Sequence, residues 1–66
     1  MKIIINGKEK VISKNMTILD LIKELKIEDK VMAAAVNMQV VKKEEWDKYY
    51  LQNNDKIELL HFVGGG

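Results

Sequence analysis

Three glycines, Gly64, Gly65 and Gly66, follow directly on the apolar run that ends in Phe62-Val63. They are the residues whose type and spacing best suit a chemical role. Each glycine raises the entropic cost of order and brings no side chain, so three in succession do not serve packing. Extended, three residues reach about 10 Å beyond a fold, as a thread thin enough for a narrow channel. Taken as the end of the chain, Gly66 offers a carboxylate whose acyl carbon carries no hindering substituent on Cα. A carboxylate is a poor electrophile until it becomes a mixed anhydride with AMP. Attack on that anhydride by a persulfide or a thiolate expels AMP and opens a route to a thiocarboxylate once the attacking group is cleaved away. A thiocarboxylate holds sulfur in nucleophilic form. Glycine-rich ends also occur as mere fraying. Here an apolar strand leads straight into an undiluted run, which favours use.

The remaining inventory points away from side-chain catalysis. His61 is the only histidine, Ser13 the only serine, and cysteine is absent. Without cysteine there are no disulfides, thiolate zinc sites or cysteine nucleophiles. A Ser13–His61 pair would need an enclosed pocket of roughly 300 Å³ or more, which a chain of this size does not readily supply. The expectation for His61 is a strand residue with a partly wet ring. Glu28-Asp29 and Glu44-Glu45 are adjacent carboxylates, but neighbours in sequence do not face each other on a helix, so these read as solvated surface. No phosphate-binding glycine loop and no zinc or calcium ligand spacing is present. Trp46, Tyr49 and Tyr50 could stack bases, yet stacking platforms come with a basic groove. Eleven lysines against ten acids leave a formal charge of +1. The three aromatics are therefore assigned to the edge of the core, and nucleic acid is not an expected partner.

The elements that must position the glycines follow from pattern. At 66 residues there is room for one domain and one core. Met1, Ile3 and Ile5 alternate with Lys2 and Ile4, and Asn6-Gly7 then separates them from Lys8–Ser13. Asn-Gly between two strand-like runs predicts a hairpin on a type I′ turn. Ile18, Leu21, Ile22 and Leu25 recur at helical spacing behind Thr17, a suitable N-cap with Asp20 three residues on. A helix over residues 18–26 is expected. Val31–Val36 reads as a buried strand, with Val40-Val41 as a short partner beyond Asn37. Asn53, Asn54 and Asp55 make a turn before a last strand, Lys56–Val63. Segregated strands with one helix give an α+β domain. Placing the first and last strands as central parallel neighbours makes it a β-grasp fold with a mixed sheet of four to five strands, although order alone leaves other α+β topologies open. The division expected is a domain over 1–63 and a flexible tail over 64–66. No signal-peptide core or run of about 20 apolar residues appears, so the expected setting is cytoplasmic, away from membranes.

Several segments together carry a family likeness: Ala35-Val36-Asn37, Val40-Val41, Lys43-Glu44-Glu45-Trp46, Asn54-Asp55-Lys56-Ile57-Glu58 and Phe62-Val63-Gly64-Gly65-Gly66. Over essentially its whole length the chain resembles the ThiS family, the ubiquitin-like sulfur carriers of thiamin biosynthesis. The resemblance implies that Gly66 is adenylated by a ThiF-type enzyme using ATP, converted to a thiocarboxylate with sulfur from a donor protein, and delivered to a ThiG-type thiazole synthase. It implies a co-substrate with no catalytic residues or bound cofactor of its own, monomeric when free. Asn54 stands where the family usually has glycine, a substitution that asparagine's tolerance of left-handed backbone allows. The stretch after Val41 lacks a proline often found there. Terminal Gly-Gly is shared with the small subunit of molybdopterin synthase and with ubiquitin-like modifiers joined to lysine, so both remain alternatives. So does a small binding module with a frayed tail.

Alternation also predicts a docking face. With Ile57 and Leu59 packed inward, Glu58, Leu60 and Phe62 turn outward on the same side as Lys2 and Ile4. Ile4, Leu60 and Phe62 are expected to form an apolar patch beside the tail, kept flat by Ala33 and Ala35.

Overall fold

The computed structural model describes residues 1–61. Its elements are β1 (Lys2–Ile5), β2 (Lys8–Val11), α1 (Ile18–Glu24), β3 (Val31–Val36), β4 (Gln39–Val41), a 3-10 turn at Lys43–Glu45 and β5 (Lys56–His61). The five strands form one sheet in the order β2-β1-β5-β3-β4. β1 and β5 are central and parallel, and the other pairs are antiparallel. This is the β-grasp arrangement anticipated above.

Both hairpins turn on two residues of positive φ. Asn6 at 47° and Gly7 at 84° close β1–β2, and Asn37 at 50° and Met38 at 73° close β3–β4. Those angles suit type I′ turns, whose twist matches that of the flanking strands. Asn54, with φ of 71°, holds the left-handed conformation for which a glycine would be the ordinary choice.

α1 begins with a reciprocal capping box. The Asp20 N–H donates to Thr17 Oγ1 and the Thr17 N–H to Asp20 Oδ2, each at 3.1 Å. The two other leading amides donate outside the helix, Ile18 to the Tyr49 carbonyl and Leu19 to the Trp46 carbonyl, both at 3.1 Å. The segment after β4 thereby satisfies donors that a helix start otherwise leaves open. α1 ends at Glu24, two residues short of expectation. Lys26 adopts φ of 60°, and its N–H and that of Ile27 return to the Lys23 and Ile22 carbonyls. That is a Schellman closure with lysine where glycine is usual.

The core lies between α1 and one sheet face, built from Ile3, Ile18, Leu21, Ile22, Val36, Ile57 and their neighbours. Trp46 is 2% exposed and its Nε1 donates to the Val41 carbonyl at 2.9 Å. Tyr49 packs partly against the core. Tyr50 departs from the expected aromatic cluster and is 55% exposed. It bridges Thr17 in extended conformation, and alternation turns it away from the side taken by Tyr49 and Leu51. No helix among the described residues is long and apolar enough to cross a membrane.

Candidate functional site

Among the described residues, nothing covers the sheet face opposite α1. Ile3, Ile57 and Leu59 point into the core, while Leu60 is 60% exposed and Glu58 lies open beside it. Register places Ala33 against Leu60 and Ala35 against Glu58, with Val40 of β4 next to Ala35. Directly paired residues share a face, so Val40, Ala35 and Glu58 form a row across the open side. The small alanines make the floor of a shallow concavity of about 330 Å³, walled by Val40, Glu58 and Leu60. An adjoining depression of about 350 Å³ is lined by Ile4, Met38, Lys56 and again Glu58. Ile4 is half-buried there. The expected patch residues Ile4 and Leu60 are thus on one surface. Phe62 and the glycines Gly64, Gly65 and Gly66 lie outside the described residues.

β5, which leads toward the glycines, is held by two turn asparagines. The Leu59 N–H donates to Asn6 Oδ1 at 2.9 Å, and Asn6 Nδ2 donates to the Leu59 carbonyl at 3.3 Å. The side chain imitates a backbone rung and prolongs the parallel ladder beyond Ile5↔Ile57. At the start of β5 the Lys56 N–H donates to Asn37 Oδ1 at 3.0 Å, and the Asn37 N–H to the Lys56 carbonyl at 2.8 Å. Asn37 Nδ2 also donates to Asp55 Oδ1 at 2.9 Å, while Asp55 Oδ2 accepts from the Gln52 N–H at 2.7 Å. Two positive-φ asparagines, set by local turn chemistry, therefore anchor one strand at both ends.

A model of the ThiS family matches residues 3–66 of the sequence. The chain belongs to the ThiS family. The sulfur carrier protein ThiS of Bacillus subtilis is 36% identical over 63 residues, covering 94% of this chain and 96% of that protein. Its Escherichia coli counterpart is 29% identical over the full length of both. A thiazole synthase of Paramagnetospirillum magneticum is 35% identical over all 66 residues, and this chain spans 20% of its length. In three dimensions the chain is similar to the crystal structure of the thiamine biosynthesis protein ThiS from Geobacter metallireducens. The TM-score is 0.82 at 27% identity, with both chains fully covered.

Within this ThiS-family fold, sequence reasoning missed three features of the open face. Val40 is 77% exposed on it, Met38 reaches it from the β3–β4 turn, and Glu58 sits in both depressions. Alternation alone gave Glu58 its outward direction, but only β3 pairing puts alanines beside it. His61 is half-buried opposite Val31, and its Nδ1 has no hydrogen-bond partner among the described residues. Among the described residues, no group of three or more His, Asp or Glu side chains is placed to hold a metal ion.

Proposed function

We propose that this chain is a sulfur carrier for thiamin thiazole formation and that the Gly66 carboxylate is its working group. The observation that carries the reading is the family match, which extends through residue 66 and so includes the glycine run. A ThiF-type enzyme joins the carboxylate to AMP from ATP, releasing pyrophosphate. A persulfide of a donor protein then displaces AMP, whose departing phosphate keeps the carboxylate oxygen, and forms an acyl disulfide. A second thiol attacks the donor's own sulfur, and as a new disulfide forms there the acyl disulfide's S–S bond breaks and frees the thiocarboxylate. The thiocarboxylate passes to a ThiG-type synthase. A protein named thiazole synthase that matches this chain from end to end within a fifth of its own length supports that pairing.

In this reading the protein is turned over by its partners and contributes recognition. The open sheet face, with Ile4 and Leu60, docks on the adenylating enzyme. Phe62 adds apolar contact there by the alternation of the sequence, and Gly64 and Gly65 let Gly66 reach the nucleotide. A contiguous exposed apolar surface is the feature that ordinarily marks such a contact.

The test is intact mass after incubation with ATP, a ThiF-type enzyme and a sulfur source. A gain of about 16 Da, lost on deletion of Gly66, is expected for exchange of one oxygen by sulfur. Absence of the gain with an enzyme active on its own carrier would overturn the reading. An adduct on a lysine amine of another protein would replace it with conjugation. Leu60→Asp is expected to slow adenylation severalfold or more, because a charge would be desolvated at the contact, with an unchanged melting temperature.

A further inference from the structure

We infer that the concavity lined by Ala33, Ala35, Val40, Glu58 and Leu60 receives an arginine side chain of the adenylating partner, its stem on the alanine floor and its guanidinium on the Glu58 carboxylate. This rests on the docking reading of the open face.

Among the described residues, Glu58 is the only ionisable one lining that concavity, and it forms no ion pair with any of them. The ion pairs among the described residues lie elsewhere, Lys2–Glu9 at 3.5 Å between β1 and β2 and Lys10–Glu24 at 3.6 Å between β2 and α1. Lys56 stands two residues away on the same face, where it lines the neighbouring depression, and leaves the carboxylate without a partner. The Asn6 amide, also at this site, is committed to the Leu59 backbone.

A free Glu58 is well solvated. Covering the concavity removes that water, and a purely apolar occupant would strand a carboxylate, which is strongly unfavourable. The occupant must therefore bring both apolar surface and a cationic donor. Long basic side chains do so, laying methylenes along apolar ground while the head reaches a polar partner. Arginine fits better than lysine, because its planar fork meets a carboxylate through two parallel hydrogen bonds and its cation is more weakly hydrated. A second copy of this chain cannot be the source, since all eleven of its basic residues are lysines.

The experiment is calorimetric titration of the full chain against a ThiF-type adenylating enzyme at low and physiological salt. Glu58→Gln is expected to weaken binding about tenfold or more and to flatten its salt dependence, the behaviour of a lost interfacial charge pair. Modification by phenylglyoxal should spare one partner arginine in the wild-type complex and not in the Glu58→Gln complex. Unchanged affinity and salt dependence for Glu58→Gln, with binding abolished by Leu60→Asp, would overturn the arginine while leaving the docking face in place. Unchanged binding in both variants would remove the docking face itself. Carbodiimide coupling of Glu58 to a partner lysine would overturn the choice of arginine, since a guanidinium does not form that amide.

Discussion

At the scale of single residues, asparagine does much of the organising. Asn6 supplies a positive φ for its turn and two side-chain hydrogen bonds to Leu59. The two roles separate by substitution. Asn6→Gly keeps the turn and deletes the bonds, and is expected to cost roughly 1–2 kcal/mol, the net worth of two such bonds. Asn6→Ala deletes the bonds and also strains the turn, so it should cost about 1 kcal/mol more. Urea denaturation measures both, and the Leu59 amide should exchange with solvent faster in each. An unchanged Leu59 exchange rate would show that the clamp adds nothing to the ladder. The pairing was hidden in the sequence because the partners are 53 positions apart. Asn-Gly revealed the turn, while nothing local revealed what the amide holds.

Among the elements, α1 shows where local signals run out. Its start was legible because Thr17 and Asp20 stand at capping-box spacing. Its end was not, because lysine occupies the left-handed closing position and carries none of the stop information of glycine. The closure works because Ile27 packs against the core beyond it. Lys26→Gly is accordingly expected to stabilise the protein by about 0.5–1 kcal/mol, the relief of left-handed strain less the added freedom of the unfolded chain. A higher urea midpoint with an unchanged slope would bear this out, and a lower midpoint would mean that the lysine stem contributes packing of greater value. At seven residues, α1 is too short to persist alone, so the core and the carbonyls of Trp46 and Tyr49 must hold it.

For the molecule as a whole, the described core runs from Ile3 to Leu59, and the side-chain hydrogen bonds described for β5 tie it to Asn6 and Asn37. Removal of Gly64–Gly66 is therefore expected to leave the melting temperature within about 2 °C, since surface changes away from packed features seldom exceed ±0.5 kcal/mol. The same truncation should abolish the mass gain. A large loss of stability would place the glycines inside the folded unit rather than beyond it. The sequence by itself determined the hairpin, the amphipathic helix, the inward and outward sides of β1 and β5 and the family, because turn chemistry and periodicity are local properties. It also singled out the glycine run, whose lack of side chains is plain in one dimension. The side-by-side placing of β1 and β5 was expected with the fold class, but only the tertiary structure decided its register, that Asn6 and Asn37 clamp β5, and that Glu58 stands among alanines, valine and leucine. Those facts depend on register between strands distant in the chain, and register is a property of the assembled sheet.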